Sequence, residues 1–457
     1  MGLSPVSEAR GIVSRHARFP NQPPVTDFLP FRGLRYQPDV VGDVGAALAP
    51  PFDVIDAEAQ AALHDRSPHN IIRLELGEQR ETDTDQDNRY TRAAATLREW
   101  RDSGAMATDT TAAFYVYTLE FAHEGKRKRR TQLLGRLRVE PWDAGVMLPH
   151  EQTMSGPKKD RLQILRHLRT NLSPISALYK DPDQAIAGHL SQGDLLTDVE
   201  ADGQRHTLHA ISDPATTAAI SAALRERPLY MLDGHHRYET ALNYRNERRD
   251  SASAWTGDEP ENFAMVAISA VDEPGLVLLA THRLVRPPSV PPDVIARLER
   301  YFQVEDTTPK SFDGTAVLRL AARLSASGQS GVAFGALGLE EGRLHLLTLR
   351  DSNAARSLMP EGTNVWQGMD VNVLEYAVLR EALGMEAGSA EAIGYTEDPA
   401  HAMREVESGR WPLAFLLNPT PVEEMLAVAD SGEKTPPKAT YFYPKLATGL
   451  VINAFDA

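Results

Sequence analysis

Apolar residues recur along this chain at two spacings, one near the helical repeat and one near the strand repeat. From Thr84 to Arg101 the apolar positions Tyr90, Ala94, Leu97 and Trp100 fall at roughly helical intervals before a Ser103-Gly104 stop, which predicts a helix with one buried face. "KKDRLQILRHLRTNLSP" is helical by the same criterion, with Leu162, Leu165 and Leu168 on one side and Pro174 beyond its end. Two β-rich runs, "AAFYVYTLEF" and "RRTQLLGRLRV", flank "AHEGKRK" and predict a hairpin; a second is expected around Asp202-Gly203. "NFAMVAISAV" and "LVLLATHRLV" read as strands on either side of "DEPG".

The proline-rich segment "RPPSVPPD", Arg286 to Asp293, marks the best domain boundary. After it the pattern predicts helices over Val294–Tyr301 and Thr315–Leu324, a hairpin from "GVAFGAL" and "RLHLLTL", and a helix over Val371–Leu383. The final stretch alternates strand "AIGYT", helix "DPAHAMREVESG", strand "WPLAFLLN" and helix "VEEMLAVADSG", the order of a parallel βαβ unit. The fold class is α/β, with α+β as the alternative. Residues 1–27 are expected to form a disordered extension, 28–285 a core with inserted hairpins, and 286–457 a second α/β domain.

Composition narrows the function classes. A chain of 457 residues, 42% hydrophobic and 24% charged, has the make-up of a soluble globular protein with two or three domains. No run of about 18 apolar residues is present to span a bilayer. A net charge of −15 opposes long-range attraction to nucleic acid or anionic lipid. The basic run "GKRKRR", Gly125 to Arg130, lies in a hairpin connection and reads as a solvated tip. The absence of cysteine excludes disulfides, thiolate metal sites and cysteine nucleophiles. The N-terminal stretch has no continuous apolar segment of the secretory type, so a cytoplasmic protein is expected.

The densest chemistry lies in "PLYMLDGHHRYETALNYR", Pro228 to Arg245, where an apolar strand meets Asp-Gly and turns into a helix. Such a junction collects unpaired backbone N–H groups at the positive end of a helix dipole, which suits a phosphate. Gly234 permits close backbone approach or positive φ, and Arg237 offers an exposed fork to phosphate oxygens. Tyr238, Ala241, Leu242 and Arg245 share one helix face, which leaves His235, His236 and Arg237 near the open end. The plainer alternative is that Asp233 only caps the helix and the histidines are surface residues. A metal held by both histidines is disfavoured, because neighbouring residues diverge at a helix start.

"PHEQTMSGPKKDR", Pro149 to Arg161, gathers His150, Glu151, Thr153, Ser155, Lys158, Lys159 and Arg161 before a helix, a second candidate phosphate surface or else a solvated loop. Met154 stands where a zinc-protease HExxH motif needs histidine, which excludes that chemistry. "APPFDVID" supplies Asp53 and Asp56; Asp56 fits a helix cap and Asp53 a functional carboxylate. "PPKATYFYPK", with two lysines and three aromatic rings between prolines, is extended, either a lid or strand over the site or core packing. No P-loop, GxGxxG, GxSxG or protein-kinase motif set occurs.

"DGHHRYETA" resembles the phosphate-binding signature of the ParB/sulfiredoxin superfamily, including the Asp-Gly-His-x-Arg motif of its free-serine kinases. His235 stands where sulfiredoxin has its cysteine, which excludes sulfinic acid reduction. Over nearly the whole length from Phe31, "PFRGLRY", "APPFDVI", "HNIIRLEL", "PHEQTMSGPKKDRL", "NLSPISALY", "DGHHRYETAL", "THRLV" and "PPKATYFYPKLATGLVI" resemble the bacterial and archaeal family called domain of unknown function 1015. The resemblance implies a ParB/sulfiredoxin-like phosphate-binding core with long hairpins and a nucleotide-dependent phosphotransferase acting on a small hydroxyl metabolite. The expected cofactors are a nucleotide (ADP, ATP or CTP) and Mg²⁺. Asp233, Gly234, His235, His236, Arg237, His150, Thr153, Lys158 and Arg161 would bind the nucleotide, with Asp53, Glu151, His235 and His236 as catalytic candidates. The alternatives are a nucleotide-binding regulatory module that does not bind DNA, and a phosphoester hydrolase.

Overall fold

The structure is a computed structural model, and it describes residues 24–152, 156–310, 315–386 and 392–456. The protein is a mixed α/β fold organised around two sheets. The first is built from Phe114–His123 (β1), Lys126–Arg138 (β2), Met147–Leu148 (β3), Ile175–Tyr179 (β4), Asp194–Ala201 (β5), Gln204–Ile211 (β6), Leu229–Asp233 (β7) and Phe263–Ala270 (β8). Their order is β3-β7-β4-β8-β2-β1-β6-β5, with Phe28–Leu29 added beside β2 to make nine strands. Both expected hairpins, β1–β2 and β5–β6, are present. Their turns place Glu124, Gly125, Asp202 and Gly203 at positive φ.

Arg89–Asp102 (α1) packs on Gly156–Leu168 (α2), α2 packs on His235–Ser251 (α3), and Pro214–Leu224 joins the core under this sheet. Asn88 caps α1 in a reciprocal capping box with Thr91, and Ala93, Leu97 and Trp100 form its buried face. The pair that positions the site is β3 with β7. They run parallel in the register Leu229 opposite Met147 and Tyr230 opposite Leu148. The segments at the carboxyl ends of these strands, His150-Glu151 after β3 and Asp233-Gly234 at the end of β7, therefore leave the same edge of the sheet side by side. Carboxyl ends of parallel strands are where α/β sheets commonly hold ligands.

The second sheet contains His282–Val285 (β10), Phe302–Asp306 (β11), Ala333–Leu337 (β12), Leu344–Leu349 (β13), Ile393–Thr396 (β14) and Leu413–Leu416 (β15), with Val277–Leu279 (β9) lying outside it. Its order is β11-β13-β12-β15-β10-β14, antiparallel at every step. Helices Ala316–Gly328 (α4), Pro399–Glu407 (α5) and Val422–Ser431 (α6) accompany it. The expected βαβ unit is corrected: β14 and β15 are mutually parallel, but β10 lies between them and pairs antiparallel with both. An earlier segment occupies the slot that a local reading gives to the following strand. The helix expected to reach Tyr301 ends at Leu298, and Phe302–Asp306 is an unforeseen edge strand. Asp370–Val373 is helical and continues as a π-helix over Leu374–Ala382, one residue earlier at each end than the expected Val371–Leu383 helix.

Strand pairing crosses the expected domain boundary at both ends. β10 precedes the proline-rich segment yet lies within the second sheet, while Tyr441–Tyr443 (β16) pairs with β9 and Asn453–Ala454 with Thr170–Asn171. Of the expected N-terminal extension, residues 1–23 lie outside the described residues. Thr26 is buried and bonded to the Arg225 and Arg227 carbonyls, and Asp27 pairs with Arg138, so 24–27 belong to the folded body. Among the described residues no helix is long and apolar enough to cross a membrane.

Candidate functional site

Strand β7 ends at Asp233, and Gly234 turns the chain with φ 95° before α3 begins at His235. That conformation suits glycine, and a Cβ there would also lie 3.0 Å from Arg237 Nε. Tyr238 N–H donates to the Gly234 carbonyl to close the first turn, so the N–H groups before it precede any intrahelical acceptor. Asp233 does not cap the helix. Its Oδ1 accepts from Lys445 Nζ at 2.8 Å and its Oδ2 from Arg237 Nη2 at 2.6 Å. Burial pushes the Asp233 carboxyl up, but the charges of Lys445 and Arg237 outweigh it and hold the group below the usual carboxylate range. Burial likewise works against the Lys445 ammonium, and Asp233 and Asp53 overcome it and raise its pKa.

The expectation of an exposed arginine fork is corrected. Arg237 is only 11% exposed at its side chain, and its guanidinium also donates to the Pro174 carbonyl. It is a structural tie as well as a cation at the site. Proline at 174 fixes the chain but leaves its carbonyl unshared by any helix, and Arg237 supplies the donor.

Asp53, Glu151, Asp233, Gly234, His235, His236 and Arg237 all line one cavity of about 80 Å³, closed by Phe52, Gln152, Pro437 and Lys438. Asp53 is exposed in a short 3-10 turn, while Asp56 caps the helix Ala57–Arg66 through Ala59 N–H at 2.8 Å. Glu151 is half-buried and its Oε2 accepts from Ala439 N–H at 3.2 Å. Burial raises the Glu151 carboxyl above its ordinary value against the opposing pull of Lys438.

His150 is fully buried behind this cavity, with Nε2 2.9 Å from Thr440 Oγ1, and its ring packs edge-to-face on His235 at 5.1 Å between centroids. Burial pushes the His150 imidazole down to about 4. Burial, then His150 beside it, lowers His235 well below its ordinary value, and His235 Nε2 is buried with no hydrogen-bond partner among the described residues. Burial, then the charges of Lys438 and Lys158, lowers His236. The three imidazoles are thus neutral near pH 7, each able to donate from one ring nitrogen.

Lys158 and Arg161 from α2 do not line the cavity. Lys158 pairs with Glu239 at 2.8 Å. Arg161 is 6% exposed, bound to Glu75 at 3.1 Å and to Asp160, and its guanidinium stacks 3.9 Å from the Phe52 ring centroid. Arg161 therefore backs a wall of the site, which corrects its expected phosphate contact. Thr153 lies outside the described residues. Among the described residues no group of three or more acidic or histidine side chains forms a metal cluster.

The C-terminal segment, expected either as a lid or strand over the site or as core packing, reaches the site. Thr435 bridges to Glu151 in parallel and its N–H donates to the His150 carbonyl at 2.8 Å, Thr448 bridges to Ala49, and between them Lys438 and Lys445 face the site. Arg130, expected in a solvated hairpin tip, is instead buried within β2 and fixes this return by donating to the Pro444 carbonyl at 2.6 Å. The two lysines of "PPKATYFYPK" were the available signal; their target was not legible.

The buried histidines give a pH dependence of stability. Between pH 4 and 6.5 the unfolded chain binds a proton at position 150 and the folded chain does not, so stability is full above pH 6.5 and falls as pH drops toward 4. His282, also lowered to about 4 by burial, acts in the same direction. Each is expected to contribute on the order of 3 kcal/mol across that window. Urea unfolding at pH 7, 5.5 and 4.5 is expected to show this loss, with a shallower slope in His150→Gln; a flat profile in the parent protein would contradict it.

None of the curated proteins matches the chain. Among solved structures it is similar to a free serine kinase in complex with AMP (13% identity, TM-score 0.33, covering 67% of this chain and 89% of that one). It is also similar to a free serine kinase variant in complex with ADP (12% identity, TM-score 0.34, 67% and 89% covered) and to a conserved hypothetical protein from Pyrococcus furiosus (15% identity, TM-score 0.34, 68% and 93% covered). Residues 28–372, which hold the β3 and β7 loops, match the family described as "Protein of unknown function (DUF1015)", and the chain belongs to that family.

Proposed function

We propose that the protein transfers the terminal phosphoryl group of a nucleotide to the hydroxyl of a small metabolite. The observation that carries this reading is the convergence of Asp53, Glu151 and the whole Asp233–Arg237 segment on one cavity. Its volume, about 80 Å³, is well below the roughly 300–1,000 Å³ of sites that engulf a drug-sized ligand, and suits a phosphoryl group held in a narrow slot. The resemblance of "DGHHR" to the Asp-Gly-His-x-Arg motif of free-serine kinases supports the same assignment.

In this reading each residue of the cavity has a role. Gly234 and the first turn of α3 present backbone N–H groups, and Arg237 and Lys438 add positive charge, so phosphate oxygens are held without a P-loop. His235 and His236, neutral near pH 7, serve as donors to those oxygens. Glu151, raised by burial, accepts the proton of the acceptor hydroxyl as its oxygen bonds to phosphorus and the bond to the nucleotide's bridging oxygen breaks. Asp53, exposed at the mouth, would hold Mg²⁺, which would neutralise phosphate charge and needs only one or two protein carboxylates.

Arg237→Ala is expected to abolish nucleotide-induced stabilisation, which for the parent protein at about a hundred times Kd amounts to about 2.7 kcal/mol. It should also lower the stability of the ligand-free protein, because the Pro174 carbonyl and Asp233 lose their donor. Thermal shifts with ADP, ATP and CTP, each with Mg²⁺, measure both effects; undiminished stabilisation in the variant would remove Arg237 from the site. The reaction itself is tested by incubating protein, nucleotide and Mg²⁺ with a pool of hydroxyl metabolites, free serine first. Phosphate released at equal rates with and without acceptors would make the protein a hydrolase. Binding without turnover would make it a regulatory module.

A further inference from the structure

A second cavity, of about 240 Å³, adjoins the first: Gln152 and Pro437 line both. Its own walls carry three aromatic side chains, Trp366, Tyr376 and Tyr395, and the amide of Asn372. The π-helix Leu374–Ala382 supplies Tyr376, and π-helical turns are frequent where a fold shapes a functional site. Asn372 is fully buried. Its Nδ2 donates to the Trp366 carbonyl at 2.6 Å, which fixes the amide orientation and leaves Oδ1 with no partner among the described residues. A buried acceptor without a donor is disfavoured by about 1–3 kcal/mol; Asn372 is fully buried in this conformation, so an occupant that draws its side chain to the cavity surface and supplies an N–H relieves a standing deficit.

We propose that this cavity is the base subsite of the same nucleotide, and that Asn372 selects a nucleobase bearing an exocyclic amino group, which adenine, cytosine and guanine carry and hypoxanthine lacks. The inference rests on the phosphate site at Gly234–Arg237 described above. Three aromatic walls suit a flat heterocycle, and a small hydroxyl metabolite would leave most of that apolar surface uncovered. The shared Gln152–Pro437 wall puts the two subsites next to each other, as the base and phosphates of one ligand require.

The test is calorimetry of the full chain with ADP, inosine diphosphate, adenosine, inosine and inorganic tripolyphosphate. Inosine differs from adenosine in having a carbonyl where adenine has its amino group. The parent protein is expected to bind ADP at least tenfold more tightly than inosine diphosphate, and Asn372→Leu to bring that ratio to about one while keeping its affinity for tripolyphosphate. A ratio near one in the parent, or an unchanged ratio in the variant, would overturn the proposal. Should Asn372→Leu fail to fold, Tyr376→Leu is expected to weaken ADP at least tenfold and leave tripolyphosphate unaffected; equal ADP affinity would overturn it. Adenosine preferred over inosine with no tripolyphosphate binding would sustain the base subsite and remove the phosphate site. Tripolyphosphate binding with no base preference would do the reverse.

Discussion

Asp233→Ala is expected to destabilise the protein by about 3–5 kcal/mol, more than any other single substitution at the site, although Asp233 belongs to its polar lining. The carboxylate is shared between Lys445 at 2.8 Å and Arg237 at 2.6 Å, and all three side chains are at least four-fifths removed from solvent. Deleting the anion leaves two desolvated cations facing each other. The energy of breaking such a cluster comes mostly from that uncompensated charge and less from the attraction lost. A second substitution discriminates this from simple loss of packing: Lys445→Met in the Asp233→Ala background removes one stranded cation and is expected to restore part of the stability. Urea midpoints of the single and double variants decide it. A double variant less stable than Asp233→Ala would show that the cost came from packing.

Glu151→Gln is expected to reduce phosphoryl transfer by about 10²–10⁴-fold while nucleotide binding is retained, the range associated with losing a general base. Glutamine keeps the shape and can still accept from Ala439 N–H, so the change isolates proton acceptance from the hydrogen bond that orients the side chain. The comparison is with Asp53→Asn, which at the exposed mouth should raise the Mg²⁺ concentration needed for half-maximal rate and lower the maximal rate less. Single-turnover rates across a Mg²⁺ series separate the two roles. Transfer at the parent rate in Glu151→Gln would exclude it as the base.

The elements that carry the chemistry are legible from local sequence. Leu229–Asp233 reads as a strand because apolar residues run to an Asp-Gly stop, and α3 reads as a helix because Tyr238, Ala241 and Leu242 recur on one face; both follow from local backbone and side-chain preferences. The hairpins around Gly125 and Gly203 were legible for the same reason, since positive φ at their turns calls for glycine. Which of these pieces meet depends on contacts between segments far apart in the chain. The parallel pairing of β3 with β7, which sets Glu151 beside Gly234, involves a two-residue strand with no periodicity to detect. β10 lies between β14 and β15 because sheet order is set by burial of whole faces and not by neighbourhood along the chain. Lys438 and Lys445 were visible as lysines in an extended segment, but their partner Asp233 is distant in sequence, and no local rule couples them. The same holds for Arg237. Its residue type suggested an open phosphate fork, and only its contacts with Pro174 and Asp233 showed a side chain enclosed in the fold it helps to hold.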